Sequence, residues 1–109
     1  MARTLMGSGT QASVIGTEHT LYDLTTNEGQ VVDGLVDLGN MASGDTTEIR
    51  LYMKVRSAGT LRQIYYKSYS GAQSSPIIYV PSITQAKEWR LTLKQTAGVS
   101  RNYDWAVYA

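Results

Sequence analysis

The strict alternation of apolar and polar side chains over Thr47–Arg56 constrains the fold of this chain more than any other feature. Its charged residues fall on one parity, and its apolar residues fall on the other: Ile49, Leu51, Met53 and Val55. Successive side chains of a β-strand point to opposite faces, so this pattern predicts a strand with one buried face. Glu88–Lys94 and Tyr103–Tyr108 repeat the pattern, with Trp89 and Trp105 on the inward parity.

Shorter apolar runs between turn residues predict further strands. These runs are His19–Leu24, Gln30–Leu38, Leu61–Ser70 and Ile77–Pro81, and within Gln30–Leu38 the apolar residues do not keep one parity. Thr84–Glu88 is predicted to form one helical turn, and no longer segment shows the helical period of 3.6 residues. About eight short strands in a chain of 109 residues are typical of one all-β domain. We therefore predict an antiparallel β-sandwich with a jelly-roll-like arrangement of strands.

The N-terminal segment Met1–Thr17 differs from the rest of the chain. It is rich in Gly, Ser, Thr and Ala and lacks strong alternation. We predict an extended arm over residues 1–17, followed by the sandwich domain over residues 18–109. Such an arm needs a surface to lie on, either its own sandwich or a neighbouring subunit, and the sequence leaves both alternatives open.

The composition excludes several classes of protein. The chain has no cysteine, which excludes a disulfide framework and thiolate metal sites. The formal net charge of +1 argues against a dedicated nucleic-acid binder, because counterion release requires a basic surplus. No apolar run approaches the ~20 residues of a membrane span, and the first residues lack a secretory apolar core. We expect a soluble protein, made in the cytosol, that binds neither nucleic acid nor membranes.

The charges are unevenly distributed along the chain. Residues 1–49 contain one basic and seven acidic residues, a net charge of −6, whereas residues 50–109 contain nine basic and two acidic residues, a net charge of +7. Two interpretations stay open at this point. The two halves fold against each other and mix their charges on one surface, or an acidic patch of one subunit meets a basic patch of its neighbour.

No motif in the sequence indicates catalysis or a bound cofactor. The single histidine, His19, cannot form a zinc site without further nitrogen or sulfur ligands, and no nucleophile elbow surrounds any serine. Asp33, Asp37 and Asp45 lack the spacing of a twelve-residue calcium loop. We expect a protein that is not an enzyme and has no cofactor and no metal.

The aromatic composition points to contact surfaces. The chain has eight Tyr, two Trp and no Phe, and Tyr and Trp combine apolar area with a polar group, which suits interfaces. Trp89 and Trp105 are predicted core residues. Tyr52, Tyr66 and Tyr108 are predicted to face outward, as interface anchors or as a platform on which a sugar ring could stack.

Two strings resemble small virion proteins of tailed phages, short cysteine-free β proteins encoded among head genes. One is Asp37-Leu-Gly-Asn-Met-Ala-Ser-Gly-Asp45, followed by Thr47–Val55, and the other is Leu91-Thr-Leu-Lys-Gln-Thr-Ala-Gly98 with Asn102-Tyr-Asp-Trp105. The resemblance covers roughly residues 19–109. It implies a capsid decoration (cement) protein, commonly a trimer, which ties neighbouring major capsid proteins together on the virion surface after assembly in the host cytoplasm.

These observations lead to one main expectation and two alternatives. We expect a homotrimer that binds between major capsid protein subunits. The residues expected at subunit or capsid contacts are Arg3, Leu5, Met6, Arg50, Tyr52, Lys54, Arg56 and Arg62. The alternatives are a neck or tail component of the virion, and a carbohydrate-binding surface module in which Tyr66 and Tyr108 stack on the ligand.

Overall fold

The structure is a computed structural model and describes residues 3–25 and 28–109, which form nine β-strands. The strands are β1 (Leu5–Ala12), β2 (Glu18–Leu24), β3 (Val31–Asp37), β4 (Thr46–Lys54), β5 (Arg62–Ser70), β6 (Ile77–Tyr79), β7 (Ile83–Thr84), β8 (Glu88–Ala97) and β9 (Asn102–Tyr108). No helix occurs within these two described ranges.

The strands form two antiparallel sheets that pack face to face. Sheet 1 has the order β1-β9-β3-β6, with β7 also paired to β3, and sheet 2 has the order β2-β8-β4-β5. The chain passes from one sheet to the other at most connections, and β4 and β5 form a hairpin within sheet 2. The predicted all-β antiparallel sandwich is therefore confirmed, while the jelly-roll-like arrangement stays a prediction.

The alternating strands bury the side chains that their period predicts. Ile49, Leu51, Leu91 and Trp89 are fully buried on the inner face of sheet 2. From sheet 1 they meet a matching apolar layer, namely Val32, Val36, Tyr103 and Val107. Burial of this apolar area between the sheets is the main source of stability.

The parity of β3, which the sequence left ambiguous, is set by a glycine. Val32, Gly34 and Val36 occupy the inner face, and Leu35 points outward. A Cβ on Gly34 would lie 2.8 Å from Cγ2 of Val80, so the close packing at this point requires glycine. The apolar residues on the outward parity thus belong to a second, exposed surface of the sheet.

The segment predicted as an arm contains a strand of the sandwich. Leu5–Ala12 pairs with β9 from Leu5↔Tyr108 to Ala12↔Asn102. Of the two alternatives for residues 1–17, the structure shows the segment on its own sandwich. A contact with a neighbouring subunit and the division at residue 17 stay predictions, and Met1 and Ala2 lie outside the described residues.

Two expectations about local structure are wrong. Thr84–Glu88 does not form a helical turn, because Thr84 ends β7 and Gln85 is buried with its side-chain Nε2 donating to the Leu24 carbonyl at 2.9 Å. Val55 is 84% exposed rather than buried. The strand β4 ends at Lys54, opposite Glu88, so the residue that follows leaves the sheet.

Candidate interaction surfaces

Three of the predicted contact residues, Arg50, Tyr52 and Lys54, lie on the outer face of sheet 2, where they have partners within the chain. Arg50 pairs with Glu48 at 2.8 Å, and its guanidinium lies 4.8 Å from the ring centroid of Tyr66. Lys54 pairs with Glu88 at 3.2 Å. Because these contacts occupy the charged groups, this part of the face offers little uncompensated charge to a partner.

The remaining groups of this face continue the same network. The Tyr52 hydroxyl and the Thr92 hydroxyl each donate to Oε2 of Glu18 at 2.6 Å. Burial opposes ionisation of Glu18, but these two hydrogen bonds outweigh it and hold the pKa of that carboxyl below its usual value. Tyr52 is therefore positioned by Glu18, with its hydroxyl already in use.

Two carboxylates and one arginine form a shared cluster on the same face, next to the Lys54–Glu88 pair. Arg90 contacts Asp23 at 2.9 Å and Glu88 at 3.1 Å. Burial and the neighbouring Glu88 raise the pKa of Asp23, whereas the hydrogen bond with Asp23 and the ion pair with Lys54 lower the pKa of Glu88. The charges of the cluster are largely neutralised, since each carboxylate has a cation beside it.

The ion pairs also decide between the two interpretations of the charge asymmetry. Most of them join an acid of the first half to a base of the second half, as in Arg101–Asp45 at 2.8 Å and Lys87–Glu28 at 2.6 Å. The halves therefore mix their charges within one subunit. The charge difference between the two halves of the sequence is therefore partly balanced within the fold, and the unpaired charges of each sign are set by their position in it.

Two further basic contact residues of the prediction differ from Arg50 and Lys54. Arg56 and Arg62 flank the end of the β4–β5 hairpin and are exposed. Neither forms an ion pair with any carboxylate in the described part of the chain. Beside them lie the exposed side chains of Val55 and Ile64, and the four residues line a cleft of about 450 Å³. We call this surface the hairpin tip.

The N-terminal contact residues divide between surface and core. Arg3 contacts Asp33 and the Val31 carbonyl, and Leu5 is 51% exposed on the outer face of sheet 1. Met6 instead packs against the core, and its carbonyl accepts a hydrogen bond from the Tyr22 hydroxyl at 3.0 Å. Of these three residues, Arg3 and Leu5 are therefore the ones whose side chains are exposed and could contact a partner.

The outer face of sheet 1 is the more apolar of the two outer faces. Leu5 and Tyr108 are cross-strand neighbours there, as are Leu35 and Tyr79. Tyr79 is 68% exposed and Ile77 is 53% exposed. These outward residues, together with Ala106, form what we call the sheet 1 patch: Leu5, Leu35, Ile77, Tyr79, Ala106 and Tyr108.

A groove of about 210 Å³ crosses one end of the sheet 1 patch. Leu35, Ile77 and Ala106 contribute its apolar lining, and Asp37 and Asp104 contribute its polar lining. The two aspartates are directly opposite each other in the pairing of β3 with β9. Like charges in this position repel, so the fold retains an unfavourable pair here.

Sequence reasoning missed most of this surface. Of the six patch residues it singled out Leu5 and Tyr108. The signal that could have identified Leu35 was the second apolar parity of β3, and the signal for Ile77 and Tyr79 was their shared parity in a short edge strand. These signals became interpretable only after the inner face had been assigned.

The single histidine of the chain is engaged in a structural contact. Nε2 of His19, the single histidine, accepts a hydrogen bond from the Val14 amide at 3.1 Å. In the described ranges no three His, Cys, Asp or Glu side chains come together as a possible metal site. None of the described residues belongs to a helix with the length and apolarity needed to cross a membrane.

Comparisons of the chain with protein-family models, with curated proteins and with solved structures found no match.

Proposed function

We propose that this chain is a non-enzymatic structural protein of a tailed-phage virion, which decorates the capsid by binding between major capsid protein subunits. In this proposal the sheet 1 patch is the capsid-facing surface. Leu5 lies beside Tyr108 on the β1 side of this patch, and Arg3 lies near them, next to Asp33. The protein acts by burying surface on the particle, which would place it in the virion after assembly in the host cytoplasm.

The observation that carries this proposal is the contrast between the two outer faces. Sheet 2 presents charged groups that are paired within the chain, as Arg50 and Lys54 are. Sheet 1 presents apolar side chains that are half exposed or more, as Leu5 and Tyr79 are. Contiguous exposed apolar surface of this kind marks protein interaction sites. The resemblance of Asp37–Asp45 and Leu91–Gly98 to phage decoration proteins supports the capsid as the partner.

The geometry favours protein contact over sugar stacking on sheet 2. Stacking requires a free aromatic face, but the Arg50 guanidinium lies over the Tyr66 ring, and the Tyr66 hydroxyl donates to Glu48 at 3.0 Å. Tyr108 is only partly exposed, and it lies between Leu5 on β1 and Asp33 on β3, so less of its ring is available for stacking than that of Tyr66.

The test is co-expression of the chain with the major capsid protein encoded in the same genome. We expect the chain to sediment with assembled capsids in a density gradient. Leu5→Glu and Tyr79→Glu should each remove it from the particle fraction, because each places a charge in the buried contact. The matched control is Thr20→Glu, which adds the same charge at an exposed position of β2 in sheet 2.

Three results would overturn the proposal. They are a genome without a major capsid protein, wild-type chain that stays at the top of the gradient, and wild-type chain found on isolated necks or tails but not on capsids. Equal loss of binding in Thr20→Glu and in the two patch variants would contradict the assignment of the contact to sheet 1. Thermal unfolding of each variant establishes that it is folded before binding is measured.

A further inference from the structure

We infer that the protein associates with itself head to tail, the hairpin tip of one copy docking in the groove of the next. The occupant of the groove is thus a second copy of this chain. This inference rests on the proposed function in that it names one partner of the sheet 1 patch, but the contact is tested without any capsid.

The first argument is complementary chemistry. The groove combines an apolar floor with the carboxylates of Asp37 and Asp104. The hairpin tip combines exposed Val55 and Ile64 with two guanidinium groups. An apolar centre with opposite charges at its margin is the arrangement that gives an interface both affinity and register.

The second argument is that both charged pairs lack an ion-pair partner among the described residues of the subunit. No ion pair joins Asp37 or Asp104 to a basic residue in the described ranges, and they accept hydrogen bonds from the Gly39 amide at 2.8 Å and the Thr10 hydroxyl at 2.6 Å, respectively. Six of the ten basic residues pair with acids in the described part of the chain, but Arg56 and Arg62 do not. Lys67 and Lys94 also form no ion pair among the described residues, but only Arg56 and Arg62 come together around one cleft, as Asp37 and Asp104 do around the groove.

The third argument is position. The groove lies at the Tyr103 end of the sandwich, since Asp104 is next to Tyr103, whose hydroxyl is 2.7 Å from Oγ1 of Thr47. The hairpin tip follows Lys54, which lies about 23 Å further along β4 at ~3.3 Å per residue. The surfaces are at opposite ends of the molecule and on opposite sheets, so one chain cannot close the contact by itself. A contact between different surfaces of identical chains forms a ring or a filament rather than a two-fold dimer.

The β5 edge of sheet 2 is a poorer site for self-association. The edge strand β5 directs Lys67 toward the inner side, opposite Ile49, and has a bulge where it passes Leu51 and Tyr52. Inward charges and bulges are features that prevent edge-to-edge pairing of strands. The contact between hairpin tip and groove leaves this edge unpaired.

The experiment is sedimentation velocity of the purified full chain over a range of concentrations, in low and high salt. The hairpin variant is Arg56→Glu with Arg62→Glu, and the groove variant is Asp104→Asn. Asn at this position keeps the acceptor for the Thr10 hydroxyl but removes the charge. We expect concentration-dependent association of the wild type that weakens with salt, and a dissociation constant at least about tenfold higher in each variant.

Two further measurements make the test specific. A control with the same charge change as the hairpin variant, Lys67→Glu with Lys94→Glu, should associate like the wild type. An equimolar mixture of the hairpin variant with a groove variant of reversed charge, Asp37→Lys with Asp104→Lys, should recover association, because each chain supplies a surface that matches the other.

Each contrary outcome overturns the inference. These outcomes are a wild type that is monomeric at all concentrations, an oligomer unaffected by the variants, association that the control pair disrupts equally, and a mixture that does not associate. A wild type that binds capsids but does not self-associate would overturn only this inference. Loss of capsid binding with self-association retained would overturn only the proposed function.

Discussion

Removal of one buried hydroxyl should show how the end of the sandwich is held together. Tyr103 is fully buried, and its hydroxyl donates to Oε1 of Gln95 at 3.0 Å. The Thr47 hydroxyl lies 2.7 Å away and therefore donates to Tyr103. Burial raises the pKa of Tyr103, so its proton is retained at neutral pH. Tyr103→Phe keeps the ring in the core and deletes the hydroxyl alone.

The expected cost follows from the group left behind. In Tyr103→Phe the Thr47 hydroxyl loses its acceptor in a position with no solvent access, whereas Gln95 keeps its hydrogen bond from the Ser13 hydroxyl at 2.5 Å. A buried donor without a partner costs about 1–3 kcal/mol, so we expect a loss near 2 kcal/mol in the free energy of unfolding. For a chain of this size that corresponds to a fall of about 8 °C in Tm.

A second substitution tests the cause of this loss. In Tyr103→Phe with Thr47→Val, both partners of the hydrogen bond become apolar and no donor is orphaned. The double variant should therefore be more stable than the sum of the single changes predicts, by about 1 kcal/mol. Urea unfolding followed by the fluorescence of buried Trp89 measures all three variants.

The control is Tyr66→Phe, which deletes a hydroxyl from a ring that is 45% exposed and should change stability by less than about 0.5 kcal/mol. The reasoning is refuted by a Tyr103→Phe variant as stable as the wild type. Strict additivity of the two core substitutions would refute the orphaned donor as the cause.

Two further predictions concern the loops at the same end. Gly98→Ala should destabilise more than Gly44→Ala: both glycines have φ above +90°, but only at Gly98 would a Cβ meet another group, Oδ1 of Asp45 at 2.0 Å. Gly44→Ala should cost about 1–2 kcal/mol for the left-handed conformation alone, and equal Tm values for the two variants would contradict the contact. Asp45 also predicts acid sensitivity. Hydrogen bonds from Arg101 and the Ala42 amide lower the pKa of its carboxyl. The stability that Asp45 contributes is therefore present above its pKa in the unfolded chain, and it is lost as pH falls through the lower pKa of Asp45 in the folded protein. Unfolding between pH 7 and pH 2 should show this loss in the wild type but not in Asp45→Asn.

The parts of the fold that follow from local periodicity could be predicted from the sequence. Strands β4 and β8 alternate without interruption, and the structure buries the inner parity of each. The exception, Val55, lies beyond the last residue that a neighbouring strand pairs with. Where a strand ends depends on its neighbour's length, and a single segment does not contain that information.

Strand β1 could not be predicted in this way, because other strands supply its apolar contacts. Its inward positions are Gly7 and Gly9, where a Cβ would lie 2.5 Å from the Tyr22 ring and 3.3 Å from the Trp105 ring. The two rings, 5.8 Å apart, fill the space that side chains of β1 would otherwise occupy. A segment of this kind has no alternation to detect, so its composition was interpreted as that of an arm.

The contact surface was only partly predictable for a related reason. Parity alone correctly places Arg50 and Lys54 on an outer face. Whether they are free depends on the order of the strands, because Glu88, the partner of Lys54, comes from β8, which lies next to β4 in the sheet. Glu48, two residues before Arg50 on the same strand face, was the one partner that the sequence could have indicated.

The opposition of Asp37 and Asp104 connects the stability of the single chain to its assembly. A directly opposed pair of like charges costs the isolated sheet a few tenths of a kcal/mol or more, whereas Glu88 and Asp23 on sheet 2 each have a cation beside them. A guanidinium from a second copy would remove the repulsion and add a charge-assisted hydrogen bond, so the same residues that weaken the monomer would strengthen the oligomer. Asp104→Asn should accordingly leave the Tm of the dilute monomer unchanged or higher while it weakens self-association, a combination that a purely structural role for Asp104 would not produce.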